Sequence, residues 1–295
     1  MSRILYAWEI GSGYGHVASF LPVAVELRKR GHEVLLALRD VSNADAVLDG
    51  QDFLVFQAPV RLHPVNGLRE PPLSYAEILF RFGYLSVSGL TGLVRTWRQL
   101  FDSLKVDMVV ADHSPTALLA ARGTTVRRVV FGNGFPSPPR VHPLPNMRAW
   151  WDVPRAQLVE SERRVLEVVN RALAQLGGRP MEALHDLFAV DENFLCTFAE
   201  LDHYQGREGA QYWGPVISMD EGDEAHWPAA HGRPRIFVYL RPHRNSESVL
   251  KILKTIDCEA LVVAPGMSPR TVQRLETDTI RLSTCPVKIT QVRRQ

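Results

Sequence analysis

A chain of 295 residues, 45% of them hydrophobic and 22% charged, has room for about two globular domains and is too apolar for disorder. The formal net charge of +2 provides no general attraction for nucleic acid, so no such partner is expected. No run reaches the roughly 18 apolar residues of a membrane span. The start lacks a signal-peptide pattern, and Cys196, Cys258 and Cys285 form no C-x-x-C pair, so a cytoplasmic protein with no transmembrane segment, disulfide or metal site is expected.

Ile4-Leu5-Tyr6-Ala7-Trp8 reads as a strand and runs into Gly11-Ser12-Gly13-Tyr14-Gly15-His16. Val17, Phe20, Leu21, Ala24 and Leu27 then recur at helical spacing, and Gly31 ends the helix. Such a strand, glycine loop and helix lets the backbone approach a ligand and points unpaired N–H groups at it. The loop ends in a histidine, a side chain that takes up a proton near neutral pH. Further strands are predicted at His32–Leu38, Phe53–Phe56, Asp107–Ala111, Val126–Phe131 and Asn193–Phe198. Between them, Tyr75–Leu104 has a helical pattern that Gly83, Gly89 and Gly92 weaken, so two helices are expected, packed on the core. Pro136–Pro154 reads as a long loop and Gln157–Leu176 as a helix closed by Gly177-Gly178.

From Gln205 to Pro234 the glycines, prolines and the acidic run Asp220–Glu224 have a linker composition. Beyond it lie a strand at Arg235–Leu240, a helix from Ser246 to Leu253 and a strand at Ala260–Ala264. Alternating strands and helices predict an α/β fold built on parallel sheets. The expected organisation is a Rossmann-type N-terminal domain over 1–216, a linker over 217–234 and an incomplete second Rossmann-like domain over 235–295. An incomplete domain would leave a sheet edge uncovered, and self-association is expected of it.

The stretch Gly11-Ser12-Gly13-Tyr14-Gly15-His16-Val17, with Leu21-Pro22-Val23-Ala24 and Leu27 to Val34, resembles the opening of GT-B fold glycosyltransferases of the UDP-glucuronosyl/UDP-glucosyltransferase-like group. Ala111-Asp112-His113-Ser114-Pro115 and Tyr212-Trp213-Gly214-Pro215-Val216 are similar to later motifs of that family. The resemblance implies sugar transfer from a nucleotide-sugar donor, held mainly by the C-terminal domain, to a small-molecule acceptor hydroxyl, held mainly by the N-terminal one. It implies an inverting mechanism with His16 as base and Asp112 as its orienting partner. No cofactor or metal is then needed, the nucleotide-sugar being a substrate. The family's His-Gly-Gly-x-Gly-Thr-like donor loop is not found in the 295 residues.

On the acceptor side the expected contacts are Gly13, Gly15, His113, Asn133 and Gly134; on the donor side they are Gly11 and Arg241. Each has a plainer reading. His16 also suits the start of a helix, Asp112 would also serve as a cap before Pro115, Asn133-Gly134 suits a turn, and Arg241 suits solvated surface. Two other classes stay open: a silent binding protein that keeps the acceptor cleft, and a nucleotide-cofactor Rossmann enzyme, for which Asp40 after the second strand is the acidic residue expected.

Overall fold

The computed structural model describes residues 1–293 apart from positions 14, 43, 49, 205, 217–221, 229–231, 241, 242 and 244. It divides into two compact units, Met1–Ser218 and Met219–Gln295. Among the described residues no helix is long and apolar enough to cross a membrane.

The first unit is built on six parallel strands: β1 (Arg3–Trp8), β2 (Glu33–Leu38), β3 (Leu54–Gln57), β4 (Met108–Asp112), β5 (Arg127–Gly132) and β6 (Glu192–Leu195). Their order is β3-β2-β1-β4-β5-β6. The chain thus proceeds outward from β1 in one direction and then restarts at β4 on the other side. The loops leaving β1 and β4 diverge there and open a crevice at the carboxyl ends of the strands, the position where open α/β sheets bind ligands.

Helices cover both faces. Helices α1 (Gly15–Lys29) and α2 (Ala44–Leu48) lie on one side, where Val17, Phe20 and Ala24 pack against Ile4, Tyr6 and Trp8. On the other side α3 (Tyr75–Phe80), α4 (Val87–Leu104), α5 (Pro115–Ala121) and α6 (Arg155–Gln175) pack against Leu5 and Ala7. Alternate residues of β1 therefore serve opposite layers, which explains why its sequence is apolar throughout. Gly83, at φ +101°, separates α3 from α4, and the Ser86 side chain caps the second helix by accepting from the Gly89 N–H. Helix α1 begins at Gly15, two residues before the predicted start, so His16 lies within its first turn. It ends in a Schellman arrangement: Gly31 at φ +85° donates to the Arg28 carbonyl, and His32 donates to that of Leu27.

The second unit is a parallel sheet ordered β7-β8-β9, with β7 (Arg235–Tyr239), α7 (Ser246–Leu253), β8 (Glu259–Val263), α8 (Pro269–Leu275), β9 (Ile280–Ser283) and α9 (Ile289–Arg293). The last strand and two of the helices lie where the sequence had suggested no element. Part of the predicted 217–234 linker packs on this sheet. Asp223 donates to the Pro286 carbonyl and accepts from the Lys288 N–H, and the Ala225 N–H reaches the Gln291 side chain. Ala225 is buried with Leu261, Val263 and Val287, and Trp227 packs on them. Two apolar residues in a polar stretch suffice to anchor it, a signal too short for composition to reveal.

Gly222 fixes this anchoring. Its φ is +127°, and a Cβ there would run into the Pro286 carbonyl oxygen. The Gly222→Ala variant should therefore lose stability in the second unit, on the order of 1–3 kcal/mol, as a strained backbone position does. Chemical denaturation followed by a probe in residues 235–295 would show it, and an unshifted midpoint would place residue 222 outside the folded unit.

Candidate active site at the β1–β4 crevice

Parallel pairing of β1 with β4 sets Trp8 opposite Asp112, the last residue of each strand. Tyr6 and Trp8 are two residues apart on one face of β1, about 6.6 Å along the strand. His16 and Phe20 are one turn apart on α1, about 6 Å along the helix. The two spacings match, so two aromatic pairs form in step. Tyr6 stacks on Phe20 with ring centroids 4.4 Å apart, and Trp8 stacks on His16 at 5.3 Å.

Held in this way, His16 Nδ1 lies 3.0 Å from Asp112 Oδ1. The other carboxylate oxygen accepts a 3.0 Å hydrogen bond from the Tyr6 hydroxyl. Burial, reinforced by the neighbouring Asp112, pushes the Tyr6 phenol up, so it stays a proton donor. The Asp112 side chain is 5% exposed and that of His16 26%, so the imidazole reaches solvent from a buried carboxylate. A carboxylate beside Nδ1 places the ring proton there and leaves the Nε2 lone pair free to accept one. Two glycines make room for the pair. A Cβ on Gly11, at φ +105°, would lie 2.7 Å from His16 Nε2, and one on Gly132, at φ +145°, would lie 3.3 Å from Asp112 Oδ1.

The remaining predicted residues divide. His113 is next to the pair, with its ring centroid 6.4 Å from that of His16, and it has a φ of +49°. Burial, then the nearby His16 and Arg39, depress its pKa to about 3, so it remains neutral and is unsuited to take up a proton. Its Nε2 has no hydrogen-bond partner among the described residues. The Tyr75 and Phe135 rings lie beside it, at 5.8 and 5.9 Å. Gly13 and Gly15 are exposed, with no atom within 4 Å of an added Cβ. Gly11 abuts the His16 imidazole. Asn133 is exposed and accepts from the Phe135 N–H, as in an Asx turn. The Gly134 carbonyl accepts from Arg207, whose guanidinium is ion-paired with buried Asp202 at 2.6 Å. Tyr212, from the Tyr-x-Gly-Pro segment, donates to that same carboxylate. These residues thus brace the loop after β5. Arg241 lies outside the described residues. Asp40, the acidic residue of the cofactor alternative, is exposed and accepts from the Ser42 N–H and hydroxyl, bonds that hold its carboxyl below the usual range.

Among the described residues no three His, Cys, Asp or Glu side chains stand close enough to hold a metal ion. In the second unit, a cavity of about 290 Å³ at the carboxyl edge of the sheet is lined by residues that include His243, Ser246, Gly266 and Ser268.

No motif or periodicity singles out Glu9, which only interrupts an apolar run. It is buried at the crevice, 4% exposed, and accepts from the Ser114 hydroxyl and from the N–H groups of Thr116 and Ala117. Burial raises its pKa from 4.5 to about 7 against the opposing effect of those donors. The unfolded chain releases this proton near 4.5 and the fold retains it to about 7. The resulting stabilisation is complete below 4.5 and is lost as pH rises to 7. Glu9→Gln does not titrate, so its stability relative to wild type should rise by up to about 3 kcal/mol across that interval. Urea unfolding at pH 5 and pH 8 checks this.

No protein-family profile matches the chain, and no curated protein does. Solved structures do. CalG4, the calicheamicin glycosyltransferase, is similar at a TM-score of 0.61 and 15% identity, covering 99% of this chain and 72% of that one. The spinosyn rhamnosyltransferase SpnG gives 0.57 at 14% identity, with 100% and 73% covered. SpnG complexed with thymidine diphosphate gives 0.53 at 14% identity, with 96% and 70% covered. The chain has the GT-B fold of these structures, with Rossmann-like parallel sheets.

Proposed function

We propose that this protein is an inverting glycosyltransferase that moves a sugar from a nucleotide-sugar donor to a hydroxyl of a small-molecule acceptor. The observation that carries the reading is the His16–Asp112 pair, 3.0 Å apart, at the crevice between β1 and β4. A hydroxyl is a poor nucleophile until a base removes its proton, and His16 Nε2 is the base available. The acceptor oxygen attacks the sugar's anomeric carbon from the side opposite the diphosphate. The bond to the phosphate oxygen breaks, and the nucleoside diphosphate leaves with that electron pair, inverting the anomeric centre. Asp112 keeps the imidazole in its tautomer and stabilises the imidazolium without taking the proton.

His113, neutral and with an unused ring nitrogen, is proposed as a hydrogen-bonding contact for the acceptor beside Tyr75 and Phe135. The donor is proposed to sit on the second unit at its carboxyl-edge cavity, with Arg241, next in sequence to the lining residue Leu240, meeting the diphosphate. The fold shared with SpnG, which is complexed with thymidine diphosphate, supports a thymidine or uridine diphosphate sugar.

The test is incubation with TDP- and UDP-sugars and a panel of hydroxylated acceptors, with products detected by mass spectrometry. Transfer by the wild-type chain is expected. His16→Ala and Asp112→Asn should lower turnover by about 10²–10⁴-fold with an unchanged circular dichroism spectrum. Unchanged turnover in His16→Ala would remove that residue from the mechanism. Donor binding without transfer across the panel would favour the silent binding protein.

A further inference from the structure

Helix α5 begins immediately after the turn that carries Asp112, and its first donors all have known partners. Pro115 at the first position has no N–H, and Leu118 donates to the Ser114 carbonyl. The two between, Thr116 and Ala117, donate to Glu9 at 3.3 and 2.7 Å. Ser114, which occupies the cap position, makes no side-chain cap bond; its hydroxyl donates to Glu9 at 2.6 Å. The helix is therefore capped by a carboxylate from another strand, one residue past Trp8.

The backbone around Glu9 is tied as firmly. Its carbonyl accepts from Arg39, just past β2, and the Ile10 N–H donates to the His113 carbonyl. The Ile10 carbonyl accepts from the indole of Trp8, the ring that stacks on His16. One residue thus joins the ends of β1 and β2 to the Asp112-His113-Ser114 turn. That turn passes through the positive φ of His113, a conformation that needs support from its surroundings.

We propose that Glu9 is a positioning residue: by gripping Ser114 and the first turn of α5 it fixes the turn that presents Asp112 to His16. The catalytic consequence rests on His16 being the base, as proposed above; the geometric claim does not.

The grip is complete only for the ionised carboxylate, because a protonated carboxyl oxygen would turn an O–H toward one of three donors. Burial raises the Glu9 pKa to about 7, so the grip changes within the neutral range. The titratable and charged groups around it are Tyr75 of α3 and Tyr84 after it, Asp112 and His113 of the β4 turn, His16 of α1, and Arg39 after β2. Tyr75 and Tyr84 are held protonated by burial, and His113 is neutral. Glu9 is left to respond near neutrality.

The experiment compares wild type, Glu9→Gln and Ser114→Ala, each labelled with ¹⁵N-histidine. The primary readout is the His16 Nδ1–H resonance, which needs no substrate, assigned by its loss in His16→Ala. In wild type it should be downfield and protected from exchange above pH 7 and should broaden as pH falls through 7. Glu9→Gln retains one acceptor oxygen for Ser114 and Ala117, so the fold should persist, with the resonance weakened and its change near pH 7 gone. Ser114→Ala removes one of the three contacts and should weaken it less. On an active donor and acceptor pair, Glu9→Gln should lower kcat about tenfold, with KM within twofold and the acidic limb of the kcat profile displaced. A wild-type resonance and pH response in both variants would overturn the proposal. If His16→Ala keeps full turnover while Glu9→Gln still disturbs the resonance, the proposed base fails and the positioning role stands.

Discussion

The site rests on one registration: the parallel pairing of β1 with β4 that brings Trp8 level with Asp112. Tyr6 falls two residues below on the same face, where its hydroxyl reaches the carboxylate, and α1 crosses at a spacing that seats His16 on Trp8 and Phe20 on Tyr6. Slipping either strand by one residue would turn Tyr6 and Trp8 to the opposite face and separate His16 from Asp112. The core and the geometry of the His16–Asp112 pair are therefore set by the same contacts. The side chains of β1 that bury α1 are the ones that hold the imidazole and its carboxylate.

Placing charge in such a setting costs stability. Asp112 and Glu9 are both buried, and the fold satisfies each with directed donors: the Tyr6 hydroxyl and His16 for one, Ser114 and the first N–H groups of α5 for the other. Glu9 still holds its proton to about pH 7, so its ionised form is the less stable one. That form also grips α5 most completely. Strain retained at a functional edge while the surrounding sheet stays well packed is the usual trade between stability and activity.

Gly11 and Gly132 take positive φ values and leave space for His16 and Asp112, while Gly134 turns against the Asp202–Arg207 pair. Sequence periodicity placed most strands and helices of the first unit within a few residues, because apolar runs and helical stripes reflect burial on two sheet faces. It revealed neither the anchoring of 222–228, where Asp223 and Ala225 make hydrogen bonds and Ala225 and Trp227 make apolar contacts, nor β9, a strand of four residues. Short elements carry too few residues to establish a period.

His16 and Asp112 were legible in the chain because a histidine ending a glycine loop and an aspartate ending an apolar run both fall at strand ends, where ligands bind. The sequence by itself determined the α/β class, the order of the main elements and those two candidates, all of which follow from local pattern. Only the tertiary structure decided that the pair meets at 3.0 Å, that His113 is neutral beside it, and that Glu9 caps a helix more than a hundred residues away. These depend on strand order and register, which bring together residues remote in sequence and which no local pattern encodes.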